Sequence, residues 1–184
     1  MIAEPAVKRL GDSSRNPNRE ASAKTILAVD PGTQNLQLAV FVGSSKDSIV
    51  LISEETLSPG KSLKAVIGAA IYVAGKAVSS NVDIVLVEDQ PHVRGWDPSV
   101  VYWNGVVESA VCTALEAAVL SWRTVSPSAA KKKADISEGN YWANKEASLK
   151  FCQSTCLNKP WLGSNHHVSD CFLLAHYYFA TEKI

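Results

Sequence analysis

The stretch Thr25 to Phe41, TILAVDPGTQNLQLAVF, decides how the rest of the sequence is read. Its first six residues are largely apolar and β-rich, and they stop at Asp30 before Pro31-Gly32, a turn dipeptide. A second apolar run, Leu36 to Val42, follows after a short polar link, and a third, Ser48 to Ile52, after another. Such spacing is that of an antiparallel meander, so three strands open the domain.

Outward from there the period changes. Leu63, Val66, Ile67, Ala70, Ile71, Ala74 and Val78 recur at three and four, which predicts an amphipathic helix over Lys61 to Ser79. Asp83 to Glu88, DIVLVE, is almost continuously apolar, as in a strand covered on both faces. A helix between two strands implies a right-handed crossover and parallel pairing. Pro98 to Leu120 is a long helix whose only acidic residues are Glu108 and Glu116. It must be buried or dimerising, and Val100, Trp103, Val107, Ala110, Val111, Ala114 and Ala118 give it more apolar surface than one small core requires. Trp122 to Val125 is a fifth strand, followed by Ser126-Pro127, a lysine-rich connection, a helix around Asn144 to Cys156 and a last helix around His166 to Glu182. The order βββαβαβα(α) is that of the ribonuclease H-like α/β fold: three antiparallel strands, then alternating helix and strand, in a five-stranded mixed sheet flanked by helices.

The 184 residues, 46% hydrophobic and 20% charged, fit one domain over residues 24–184 and exclude disorder over most of the chain. Residues 1–23 are polar, without a sustained apolar period, and read as a flexible arm. Eighteen basic residues balance eighteen acidic ones, so any polyanion site is a local patch. No apolar run approaches the ~20 residues of a membrane span. The start, MIAEPAVKRLGDSSRNPNRE, lacks a signal-peptide centre, and a soluble intracellular protein of uncertain compartment is expected. Cys112, Cys152, Cys156 and Cys171 lack the paired spacings of a zinc ribbon and read as reduced thiols. Cys152 and Cys156 share a helix face but cannot complete a tetrahedral site alone.

Asp30 ends the first strand and Glu88 the fourth. On adjacent parallel strands their carboxyl ends stand about 5 Å apart, near enough for both to reach one hard cation. The plainer readings are a turn-initiating Asp and a solvated strand end, and Asp89 competes with Glu88 because neighbours on a strand point to opposite faces. His167 and Asp170, three apart at the start of the last helix, offer a further ligand pair; otherwise they are a helix-end acid and a polar residue near a cap, with His166 a rival for the imidazole role. Lys131, Lys132 and Lys133, with Arg123 before and Lys145 and Lys150 after, form the basic concentration of the ordered chain, an excess of three positive charges over residues 123–150. That strip is either a solvated face or a phosphodiester contact. Trp96, Trp103, Trp142 and Trp161 are core residues or stacking platforms, with Trp96, in the polar turn HVRGWDP beside Arg94, the one expected to be exposed.

ILAVDPGTQNLQLAVF, IVLVEDQP, the TVSPSAAKKK run with NKEA after it, and HHVSDCFLLAHYY resemble the ordered motifs of Holliday junction resolvases of the RuvC type, especially the poxviral and large-virus branch. The resemblance runs from about Thr25 to Phe179. It implies a homodimeric, magnesium-dependent endonuclease that makes paired nicks in four-way DNA junctions during recombination, replication and repair. Asp30, Glu88 and Asp170 are then the metal-binding acids, and His167 stands where many relatives have Asp and some have His. Two Mg²⁺ per site, roughly 3.5–4 Å apart and replaceable by Mn²⁺, would activate water and leave 5′-phosphate and 3′-hydroxyl ends. DNA contacts would fall to Lys131, Lys132, Lys133, Lys145, Arg123, Arg94 and Trp96, with no small-molecule substrate and no membrane. Junction selectivity would come from dimer geometry and DNA shape. A ribonuclease H acting on RNA–DNA hybrids and a non-catalytic nucleic-acid scaffold are the alternatives. An actin-like ATPase, suggested by DPGTQNLQLAVF, needs two such domains, for which 184 residues leave no room.

Overall fold

The computed structural model describes residues 22–90, 97–136, 140–158 and 165–182. Three strands come first, Lys24–Asp30 (β1), Leu36–Gly43 (β2) and Val50–Leu57 (β3). Leu63–Ser79 (α1), Ile84–Glu88 (β4), Pro98–Ala117 (α2) and Trp122–Val125 (β5) follow, and then Pro127–Lys133 (α3), Tyr141–Thr155 (α4) and His166–Thr181 (α5). The sheet order is β3-β2-β1-β4-β5. β1–β2 and β2–β3 are antiparallel, while β1–β4 and β4–β5 are parallel, which is the expected mixed sheet.

The two-residue period of the strands divides the core between the faces. Ile26 and Ala28 of β1, Ala39 and Phe41 of β2 and Leu86 of β4 pack toward α5. Leu27 and Val29, Leu38 and Val40, and Val85 and Val87 pack toward α1 and α2. α5 is buried along most of its length, including Val168, Phe172, Leu174 and Phe179, with α3 and α4 laid over it. Cys152, Cys156 and Cys171 are buried, Cys112 is half-buried, and all four are free thiols. Among the described residues, no helix is long and apolar enough to cross a membrane.

Three expectations need correction. β3 begins and ends later than Ser48 to Ile52 because it is an edge strand: backbone pairing with β2 carries the polar Ser53 to Thr56. The lysine-rich connection is the helix α3, opened by Pro127 in its first turn and closed by Lys131, Lys132 and Lys133, whose charges suit its negative end. The apolar face expected on α2 is divided between the core and the outside. Val107 and Val111 are buried in the chain's own core with Leu115, and Trp103, Ala110 and Ala114 pack against it. The strip left outward runs through Val101, Tyr102 and Gly105 to the expected Ala110 and Ala114, and meets Leu63, Ile67 and Ile71 of α1. The arm expected over residues 1–23 lies, as far as residue 21, outside the described residues.

Candidate metal centre

The strand period also aims the acids. Asp30 shares the phase of Ile26 and Ala28, and Glu88 that of Leu86, so both turn toward α5. The parallel pairing of Val29 with Val87 then sets the two carboxylates side by side at the strand ends. Asp89 has the opposite phase and is exposed; its N–H donates to the Val125 carbonyl at 3.0 Å. The turn after Asp30 needs Gly32, where a Cβ would lie 2.8 Å from the Asn35 carbonyl oxygen. The Gly60 N–H donates to the Thr33 carbonyl at 2.7 Å and ties the turn to the entry of α1.

α5 brings the other two candidates. Asn165 caps it, accepting from the His167 N–H at 3.0 Å, and this fixes the phase of the first turn. His167 Nδ1 lies 3.0 Å from Asp30 Oδ2. Asp170 is buried and ion-paired with the Lys145 ammonium from α4. One ligand atom each of Asp30, His167 and Asp170 lies within 4.8 Å of the others. Glu88 lines the same cavity, of about 520 Å³. His166 does not line it.

Charges of one sign are crowded here. Burial holds the Glu88 carboxyl well above the ordinary carboxylate range, and the charges of Asp30 and Asp170 push it further. Burial also raises Asp170, although the Lys145 ammonium opposes the shift. Burial works to discharge Lys145, but Asp170 outweighs it and keeps the ammonium more firmly protonated than usual. The hydrogen bond to Asp30 raises His167 against the effect of its own burial. Three carboxylates, two of them held above their ordinary range, with an imidazole in reach, form a donor set that fits a divalent cation such as Mg²⁺ or Mn²⁺.

Of the expected basic contacts, Lys131 and Lys145 line the cavity. Lys132 and Lys133 are exposed on α3 and do not line it. Arg123 is engaged elsewhere, its Nη1 2.7 Å from Glu182 Oε1 and its guanidinium over the Tyr178 ring. Arg94, Trp96 and Trp161 lie outside the described residues. Residues not expected from the sequence complete the opposite wall. Asn104 Oδ1 accepts from the Thr33 N–H at 3.2 Å, and Asn104 Nδ2 donates to Gln90 Oε1 at 3.4 Å. The Gln90 N–H donates to Glu108 Oε2 at 3.1 Å. The available signal was the spacing of Asn104 and Glu108, polar residues one turn apart on a largely apolar helix.

No protein-family model matches the chain, and no curated protein matches it by sequence. Solved structures do share its architecture. Thermus thermophilus RuvC in complex with a Holliday junction substrate aligns with a TM-score of 0.64 at 19% identity, covering 84% of this chain and 92% of that one. A further Thermus thermophilus RuvC structure gives 0.60 at 18%, with the same coverage. The yeast mitochondrial Holliday junction resolvase gives 0.62 at 13%, covering 84% of this chain and 77% of that one. Likeness at these identities establishes the fold, and the chain is a five-stranded mixed sheet flanked by helices of the ribonuclease H-like type.

Proposed function

We propose that this chain is a magnesium-dependent endonuclease that resolves four-way DNA junctions as a homodimer, a resolvase of the RuvC type. The observation that carries the reading is the convergence of Asp30, Glu88, His167 and Asp170 on one cavity that also receives Lys131 and Lys145. The structural likeness to junction resolvases supports it. Placement in the poxviral and large-virus branch rests on the sequence motifs alone.

In this reading Asp30, Glu88 and Asp170 hold the metal through oxygen, and His167 adds a nitrogen when its imidazole is neutral. Bound Mg²⁺ supplies Lewis acidity at the phosphate and a nucleophilic water. Lys145 pairs with Asp170, opposes the effect of its burial and orients it. Lys131, at the cavity wall, meets the negative charge of the strand. Asn104 and Gln90 fix the Thr33 turn that carries Asp30. A second copy covers the apolar groove of about 690 Å³ between α1 and α2, where Leu63, Ile67, Ile71 and Tyr102 face outward. Two identical sites then act on one junction, as paired nicking requires.

A cleavage assay offering junction, RNA–DNA hybrid and linear duplex with Mg²⁺ tests the reading. Cleavage of the junction in preference to both others is expected; preference for the hybrid would assign the site to ribonuclease H chemistry instead.

A further inference from the structure

Tyr141 and Trp142 open α4, Tyr141 in the cavity wall and Trp142 next to it in the chain, and the metal centre makes no use of them. Both are exposed, Trp142 at 75% and Tyr141 at 54%. Their rings meet edge to face with centroids 5.2 Å apart. Asn140 caps the helix, its Oδ1 accepting from the Ala143 N–H at 2.9 Å, so the turn that carries the pair is fixed. α4 does not turn them inward: Ser148 and Cys152 are its buried residues. Large aromatic groups give most when buried, and two adjacent ones held in water on a capped turn point to a partner that covers them.

Their position selects the partner. Tyr141 lines the cavity that holds the carboxylates. One turn further on, Lys145 pairs with Asp170 and places its ammonium 5.7 Å from the centre of the Tyr141 ring. Five consecutive helix positions thus present an aromatic platform, then a fixed cation bound to a candidate metal ligand. A strand whose phosphate lies at the carboxylates brings its neighbouring nucleotide to this platform. Aromatic faces accept any base by stacking, without reading its edge.

The geometry points to Tyr141 and Trp142 as a stacking platform for an unpaired nucleobase beside the cleaved phosphate. The inference rests on the proposed nuclease reading and adds to it the means by which a nucleotide is held out of its helix during cleavage. Trp96, the tryptophan expected from the sequence to be exposed, lies outside the described residues, and the inference concerns Trp142 alone.

A double-mutant cycle between protein and DNA tests it. Affinity for a four-way junction is measured in chelator, without cleavage, for the unmodified chain, Trp142→Ala and Trp142→Phe. The junction is used intact and with a single abasic nucleotide moved stepwise across the crossover. Trp142→Ala is expected to weaken intact-junction binding about 5- to 150-fold, with Trp142→Phe retaining most of the affinity. At one position the missing base is expected to weaken binding by the unmodified chain but not by Trp142→Ala. Additive losses at every position, with junction binding intact, would overturn the platform. Additive losses accompanied by weaker self-association of Trp142→Ala in light scattering would overturn it in favour of a protein contact. Failure of the unmodified chain to bind any junction would overturn the nuclease reading itself, a result distinct from additivity.

Discussion

The two faces of the sheet are finished differently. On one, α5 is enclosed between the strands and the helices α3 and α4, so that Val168, Cys171, Phe172 and Leu174 are fully buried. On the other, α1 and α2 bury only their inner stripes and leave Leu63, Ile71 and Tyr102 more than half exposed. All four candidate metal ligands gather at the enclosed face, and burial there raises the Glu88 and Asp170 carboxyls. The open face carries apolar surface beyond what its own core uses. α2 serves both ends of this contrast, with Asn104 lining the site, Glu108 accepting from the Gln90 N–H beside it, and Tyr102 in the outward groove.

Breaking the enclosed side has the largest expected effect. Asp30→Asn or Glu88→Gln is expected to lower junction cleavage at least about a thousand-fold, a loss of ~4 kcal/mol in transition-state stabilisation, while electrophoretic shift shows nearly unchanged junction binding. Turnover close to normal in either variant would remove that residue from the metal centre.

Breaking the open side tests the proposed assembly. Ile71→Glu or Tyr102→Glu places a charge in the apolar groove and is expected to weaken self-association about tenfold or more. Sedimentation would read this as a shift to monomer, and paired cleavage would fall with it. The melting temperature of the monomer should change little, because both side chains already face water. A variant that stays dimeric with full activity would move the interface elsewhere.

A smaller effect separates the two ends of α5. His167 is raised by its bond to Asp30, so in the metal-free chain their pairing stabilises the fold below the ordinary histidine value of ~6.5 and is lost as pH rises through the raised value. Metal needs the neutral imidazole, so its affinity runs the other way and improves across the same window. His176 is lowered, chiefly by burial, and weakens the fold as pH falls from ~6.5 toward its lowered value. Melting curves of the unmodified chain and His167→Ala, with and without Mn²⁺, check this. The metal-free difference between the two should shrink with rising pH while the metal-induced gain grows. A gain that is the same in both proteins would take His167 out of the metal shell.

The smallest effect sits at the end of α2. Val119, a β-branched residue at 92% exposure, holds a left-handed φ of 54°. It completes a helix-ending motif in which the Leu120 N–H donates to the Leu115 carbonyl at 3.1 Å and the Val119 N–H to the Glu116 carbonyl at 3.0 Å. Val119→Gly is expected to stabilise the protein by about 1 kcal/mol, a rise in melting temperature of about 2–4 °C by calorimetry.

The strands that carry Asp30 and Glu88 were legible because each is a continuous apolar run stopped by an acid, and the crossover between them fixed their parallel pairing. Whether Glu88 or Asp89 faces the site was not legible, since that choice depends on which sheet face α5 covers. The choice between His166 and His167 depended on the helix phase, which the Asn165 cap sets. α3 escaped notice because PSAAKKK is half polar and shows too short an apolar period. Val107 and Val111 of α2 were expected outward and are buried, because a helix with so few charges does not mark its solvent side. Asn104 belongs to the site only through contacts with Thr33 and Gln90, far from it in sequence.

The central claim, that the carboxylate cluster of the enclosed face hydrolyses junction strands in pairs through the dimer, is tested most directly on a supercoiled plasmid that extrudes a cruciform. With Mg²⁺, linear plasmid with 5′-phosphate ends is expected to form within one binding event, without accumulation of the singly nicked circle, and to vanish in Asp170→Asn. Linear product that persists in Asp170→Asn, or a nicked circle as the only product, would contradict it.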